Sequence, residues 1–394
     1  MRYFIHFIIA ALVLSAALAG FNWWVDPYAI YHAQASGAQP LRVMNERIFK
    51  TVKLVHAPAD VVFIGSSRTD IGIGREQPAL PGQHLLNLAI FDQRIAETRR
   101  LFELAVQDGK PHTVVLGLDF FAFNALLAPP SDYAEENYSA LRSTTLLLSI
   151  STLSNAISKY RHPQTAGGDC CHADGFRIAN DPASLRGNYR HSFAASERQY
   201  LMEKYLPYPQ CAFDYSARGR EVKSSLDELR AIFELAQRQH VDLRLFISPS
   251  HALQWETLGA AGLWDTWENW KRQLVTMNED VAAHAGRAPF PLWDFSGYDQ
   301  ISTEALPEDG EQRLMVGYSD SAHYTPRVGQ RLVARVFGAA DNWGELLDPS
   351  SIDARLAQIR AARQPYRASH VREVTEIVAL AHETARAKHC PQTP

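Results

Sequence analysis

The chain has no excess of basic residues. Its 39 Lys and Arg face 43 Asp and Glu, a formal net charge of −4, so no broad positive field draws in nucleic acid. It has no GxxxxGK[ST] loop to cradle phosphates and no HExxH pair to hold zinc. No internal repeat is visible. Cysteine is scarce, with 4 residues in 394. The cluster Asp169-Cys170-Cys171-His172 matches no common zinc-site spacing. Neither a metal nor another cofactor is expected.

Long apolar runs are also absent, with one exception. Tyr3 to Phe21 is nearly unbroken, interrupted only by His6 and Ser15, and about 20 apolar residues cross a bilayer as a helix. Arg2 and the amino terminus precede the run, and no Lys or Arg follows until Arg42. That asymmetry favours an N-in, C-out orientation, with Trp23 and Trp24 at interfacial depth. Ala17-Leu18-Ala19 resembles a signal-peptide cleavage site, the competing reading. An inner-membrane anchor with the main domain periplasmic is expected, or a secreted protein if the segment is cleaved. An oxidising compartment permits disulfides. Adjacent cysteines pair poorly, so the candidate bond runs from Cys170 or Cys171 to Cys211.

The remainder divides into a membrane-proximal connector (25–57), an α/β domain (58–340) carrying an irregular insertion (124–220), and a C-terminal helical extension (341–394). Strands are expected at 60–65, 84–88, 113–118, 243–247 and 290–293, alternating with helices at 92–107, 221–239, 265–285 and 325–337. This alternation implies an α/β sandwich around a mostly parallel five-stranded sheet. The extension reads as two polar helices split at Pro365 and packed loosely outside.

The chemistry concentrates in two segments. Val61-Val62-Phe63-Ile64 is a buried strand that breaks at Gly65-Ser66-Ser67-Arg68 before a helix. Catalytic groups gather at the carboxyl ends of strands in open α/β sheets. Ser67 is the candidate nucleophile, and a serine hydroxyl needs a base. Asp320-Ser321-Ala322-His323 supplies an imidazole and, three residues before it, a carboxylate to orient it. The plainer alternatives are helix caps at Ser66 and Ser67, and an unremarkable turn at Asp320 to His323. His251, in Ser248-Pro249-Ser250-His251 after a strand, is a candidate substrate-binding group or second base, with a structural role as the alternative. Trp255, Trp264, Trp267 and Trp270 would line a sugar-binding face or simply pack the core.

Gly65-Ser66-Ser67 after a strand, paired with Asp320-x-x-His323 before a late helix, resembles the SGNH (GDSL-type) hydrolase superfamily. The closest likeness is to its membrane-anchored extracytoplasmic branch, which modifies envelope polymers by acyl transfer. The short anchor followed by Asp26-Pro27-Tyr28 fits that branch. The resemblance implies an SGNH/flavodoxin-like three-layer sandwich with Ser67, His323 and Asp320 as catalytic residues. It also implies an oxyanion hole made from the nucleophile's N–H, a glycine after the second strand and an asparagine after the third. Here the chain departs. The second strand is followed by Asn87-Leu88-Ala89 without the glycine, and Asp119 stands where the asparagine would be. An ionised carboxylate cannot donate a hydrogen bond. Three arrangements avoid the conflict: a protonated Asp119, an Asp119 paired with Arg68, or a donor from Ala89, Asn87 or Asn124. The expected function is a serine esterase or O-acyltransferase that takes an acyl donor and a cell-envelope carbohydrate acceptor. The alternative is a non-catalytic binder of a glycan or an envelope-assembly protein. A metal-dependent hydrolase using Asp119, His251, Asp320 and His323 is the third reading.

Overall fold

The computed structural model describes residues 1–32, 41–56, 58–165, 167–178, 181–207, 209–216 and 224–390. Residues 221–223 of the expected fourth-strand lead-in helix lie outside them.

Helix α1, Arg2–Val25, opens the chain with Asn22 as its one buried residue. It is the one helix among the described residues long and apolar enough to cross a membrane. It stops where Asp26 turns left-handed, at φ 45°. The Asp26 carboxylate accepts from the N–H groups of Ile30, Tyr31 and His32 at 2.9, 2.9 and 3.0 Å. A short side chain that bonds nearby backbone makes this turn accessible to Asp.

Strand β1 (Leu41–Val43) and helix α2 (Glu46–His56) lead into β2 (Val61–Ile64), α3 (Ser67–Gly72), β3 (Leu85–Asn87), α4 (Ile95–Leu104) and β4 (Thr113–Leu118). The insertion holds α5 (Arg142–Leu147), α6 (Ile150–Arg161), β5 (Gly168–Cys171) and α7 (Tyr189–Gln199). The chain continues with α8 (Ser225–Gln239), β6 (Asp242–Ile247), α9 (Ala252–Ala260), α10 (Trp264–Ala285), β7 (Leu292–Asp294), α11 (Pro326–Val336), β8 (Glu345–Leu346), α12 (Ile352–Ser369) and α13 (Val371–Ala387).

The fold is α/β around a mixed six-stranded sheet, in the order β3-β2-β4-β6-β7-β8. The β3–β2, β2–β4, β4–β6 and β6–β7 pairs are parallel, and β8 runs antiparallel to β7. The expected five strands become six because β8 is two exposed residues, too short for any apolar pattern to show. β2 lies between β3 and β4, so successive connections leave it in opposite directions. That reversal opens a crevice at its carboxyl end.

Side chains alternate across the strands into two cores. Val62, Ile64, Leu116 and Leu245 join one cluster with residues of α4, α8 and α10. Val61, Phe63, Val115 and Phe246 join the other, with residues of α7 and α11. β2 and β4 are buried along their whole length, which explains their continuous Val, Ile and Leu content. Trp255, Trp267 and Trp270 are buried in the first cluster, so they pack the core and present no sugar-binding face.

Three expectations need correction. The insertion is not irregular: among its described residues it supplies three α-helices and one strand, and β5 pairs with β1. The C-terminal helices are not loose. Leu356, Ile359, Tyr366, Val374 and Ile377 are buried, Arg363 pairs with Glu256 at 2.9 Å, and the chain breaks at His370 rather than Pro365. The disulfides join Cys170 to Cys171 and Cys211 to Cys390. Cys170 and Cys171 sit in a small core with Ala29, Val43 and Phe49. Cys211 instead meets the end of the chain, its Cα 5.5 Å from that of Cys390. That return of α13 to the insertion is a tertiary fact that cysteine spacing does not contain.

Candidate active site

Ser66 and Ser67 divide two roles. Ser66 is the N-cap of α3, its Oγ accepting from Arg68 N–H at 3.2 Å. The same hydroxyl donates to Asp119 Oδ2 at 2.5 Å, so Ser66 is fully used. Ser67 Oγ lies 2.8 Å from His323 Nε2. Close backbone approach makes room for this turn. A Cβ on Gly65 would overlap the Thr69 side chain, and one on Gly329 would overlap the carbonyl of Gly72. The second contact presses α11 onto α3, which carries the His323 loop up to Ser67.

The loop from Tyr318 to Tyr324 is closed by Ser319 N–H donating to His323 O at 3.1 Å. The segment after β6 grips it from below. Ser250 Oγ donates to Ala322 O at 3.2 Å, His251 N–H to Ser321 O at 3.0 Å, and Tyr318 OH to Pro249 O at 2.8 Å. Within the loop, His323 Nδ1 lies 2.8 Å from Asp320 Oδ2 and 3.0 Å from Oδ1. Asp320 Oδ1 also accepts from the N–H groups of Ala322 and His323 at 2.8 and 3.0 Å. Burial works to raise the Asp320 carboxyl, but the facing imidazole and these donors outweigh it and hold it below the ordinary value. An ionised carboxylate only accepts, so Nδ1 carries the ring proton and Nε2 is left to accept from Ser67. His323 and Asp320 side chains are 15 % and 20 % exposed, so the pair is reachable from solvent.

Asp119 is paired with Arg68, Oδ1 to Nη1 at 3.2 Å, with both side chains buried. The carboxylate is thus held by Ser66 and Arg68. The Arg68 guanidinium lies 5.0 Å from the Tyr200 ring centre. Burial disfavours its charge, but the neighbouring tyrosines and Asp119 more than compensate, and its pKa is raised.

The expected alternative oxyanion donors are engaged elsewhere. Ala89 N–H donates to Asn87 Oδ1 at 3.0 Å, Asn87 Nδ2 donates to Ile73 O at 3.3 Å, and Asn124 Nδ2 donates to Lys204 O and Ala212 O, each at 3.1 Å. All three belong to buried structural bonds. His251 is likewise outside the site. Its Nδ1 accepts from Leu253 N–H at 3.2 Å and its Nε2 meets Glu304 O at 2.9 Å. Burial pushes it down to about 4, so it is a neutral helix cap. With Asp119 and His251 committed in this way, the four residues of the metal-hydrolase reading do not converge. Among the described residues no cluster of three His, Cys, Asp or Glu could hold a metal.

Several residues at the site went unseen in the sequence. Ser196, on α7 of the insertion, donates to Asp320 Oδ1 at 3.3 Å. Lys50 is fully buried and bonds Asp70 Oδ1 and Ala89 O, both at 2.5 Å. Arg177 pairs with Glu46 at 2.7 Å and with Asp70. Burial pushes the Asp70 carboxyl up; on Glu46, Lys50 and Arg177 overcome burial and hold it down. This network fixes the loop after β3. Phe91, 41 % exposed, stands on that loop under the Arg177 guanidinium, 4.3 Å from its ring centre. It lies 6.5 Å from the His323 ring. The local signals of the network are Asp70, three residues after Ser67, and the i,i+4 pair of Glu46 and Lys50, 3.0 Å apart.

A cavity of about 1050 Å³ lies between Asp92, Pro129, Lys204 and Phe213. Neither Ser67 nor His323 lines it. In comparisons with known proteins, the chain matches no family model, no curated protein and no solved structure.

Proposed function

We propose that this chain is an SGNH-type serine esterase or O-acyltransferase of the cell envelope, built as a three-layer α/β/α sandwich. The observation that carries the reading is the continuous relay Ser67–His323–Asp320 at the carboxyl end of β2. In this mechanism His323 Nε2 takes the proton as Ser67 Oγ attacks an acyl carbonyl. Asp320 steadies the imidazolium that forms. The alcohol of the donor leaves with that proton, and the acyl group stays on Ser67. A water or sugar hydroxyl, deprotonated by the same imidazole, then releases it. The Ser67 N–H, first in α3, is the oxyanion donor. The exposed ring of Phe91 beside His323 offers an apolar face to an acyl chain or a sugar ring. We place the catalytic body outside the cytoplasm, held by α1 in the inner membrane; the N-terminal charge asymmetry supports that orientation.

A second reading, a non-catalytic binder of a glycan or assembly partner, draws support from one feature: Ala89 N–H and the Asn87 amide are already spent. Losing one oxyanion donor costs about 100- to 1000-fold in turnover. The test is treatment of the purified full chain with a fluorophosphonate probe and p-nitrophenyl acetate. Labelling and ester cleavage that disappear in Ser67→Ala support the enzyme. An unlabelled wild type that is inert across acyl chain lengths leaves the binding protein.

A further inference from the structure

The exit of α1 is not a free tether. Asn22 Nδ2 donates to Leu147 O at 2.9 Å and Ser149 O at 3.3 Å, at the junction of α5 and α6. Tyr160 of α6 packs on Trp24 and Phe21, with ring centres 5.7 and 6.2 Å apart. Lys159 Nζ donates to Asp26 O at 2.7 Å, and Asn155 Nδ2 to Tyr28 OH at 2.8 Å. Two helices of the insertion are therefore locked to the point where the apolar run ends.

The same corner presents apolar side chains outward: Leu148 is 56 % exposed, Ile150 78 % and Tyr160 60 %. Leu148 and Ile150 flank Ser149, whose carbonyl Asn22 holds. From Tyr3 to Asn22 the helix rises about 28 Å at 1.5 Å per residue, close to the roughly 30 Å hydrocarbon thickness of a bilayer. Asn22, and with it Leu148 and Ile150, falls at the hydrocarbon edge. Charge agrees. From Tyr138 to Gly168 the sequence holds Arg142, Lys159 and Arg161 and no Asp or Glu, although the whole chain is acidic. Exposed apolar side chains on a segment that carries cations and no anions suit an anionic headgroup layer, and the Asp26 carboxylate beside Lys159 is buried and held by backbone N–H groups.

We propose that the α5–α6 corner is a second membrane foot. Leu148, Ile150 and Tyr160 dip into the headgroup–acyl boundary of the bilayer that α1 crosses, and the body rests on lipid with its site at a set height. The inference rests on the reading of α1 as a membrane span, and the test separates the two. The full chain is reconstituted in vesicles of phosphatidylethanolamine and phosphatidylglycerol. A nitroxide is placed in turn at Leu148→Cys, Ile150→Cys, Ile9→Cys and Val371→Cys, and its collisions with oxygen and with a water-soluble nickel chelate are compared. The expected result is an oxygen-to-nickel ratio at 148 and 150 at least threefold above that at 371, and below that at 9. Positions 148 and 150 as open to nickel as 371, with 9 still lipid-like, overturn the foot and leave the anchor standing. Both reagents excluded at 148 and 150 also overturn it, in favour of a protein partner. A nickel-accessible position 9 removes the anchor itself, and the foot with it.

Discussion

Two histidines stand on loops at the carboxyl edge of the sheet, in loops that touch, and their fates diverge. His251 caps α9 with one nitrogen and meets a backbone carbonyl with the other. It is 1 % exposed and held neutral. His323 has a carboxylate on Nδ1, a serine hydroxyl on Nε2 and an opening to solvent. On His251 burial outweighs the help of the Glu304 carbonyl, and the Leu253 N–H already fills Nδ1, so the ring has no free nitrogen to take a proton. The loop of His251 still serves His323, because its backbone and Ser250 hold the Asp320–His323 turn in place.

The sharpest way to separate the two rings is to remove the one proposed as the base. Ser67→Ala or His323→Ala is expected to abolish fluorophosphonate labelling and lower ester turnover by about 10⁴-fold or more. Asp320→Asn keeps the shape and removes the charge, so turnover should fall by about 10³- to 10⁴-fold while urea unfolding changes little. Wild-type levels in either variant would make the Ser67–His323 contact incidental.

His251 should instead report through stability. Its folded pKa, about 4, lies below the ordinary 6.5, so the unfolded chain binds the extra proton. Its contribution is complete above pH 6.5 and is lost as pH falls from 6.5 to 4, about 3 kcal/mol in all. Urea midpoints across that range should slope in the wild type and flatten in His251→Asn, and an unchanged slope would clear His251 of the effect. The smallest change is expected from Ser196→Ala, which removes one hydrogen bond to Asp320. Turnover should drop about three- to tenfold with KM steady, and Ser196→Thr should restore part of it.

Local signals in the sequence reached much of this. The β2 strand, the Gly65-Ser66-Ser67 turn and the Asp320-x-x-His323 pair are each written in adjacent residues. The Asp119–Arg68 pairing is one of three arrangements left open there, suggested because Arg68 directly follows Ser67, and only the fold brings the two residues together across 51 positions. What stayed hidden depends on distant segments meeting. Ser196 and Arg177 come from an insertion whose course no periodicity reveals. Lys50 is buried only because Asp70 and Ala89 close over it from distant segments. Ala89 and Asn87 looked like free donors because their mutual bond is a matter of side-chain rotation, not of spacing. β8 was too short to see.

The bond between Cys211 and Cys390 ties the insertion to a residue made after every strand of the sheet. The latch on the insertion therefore closes only once residue 390 has been made. A chain released short of residue 390 keeps Cys211 unpaired and leaves the insertion that carries Ser196, a partner of Asp320, without its covalent tie.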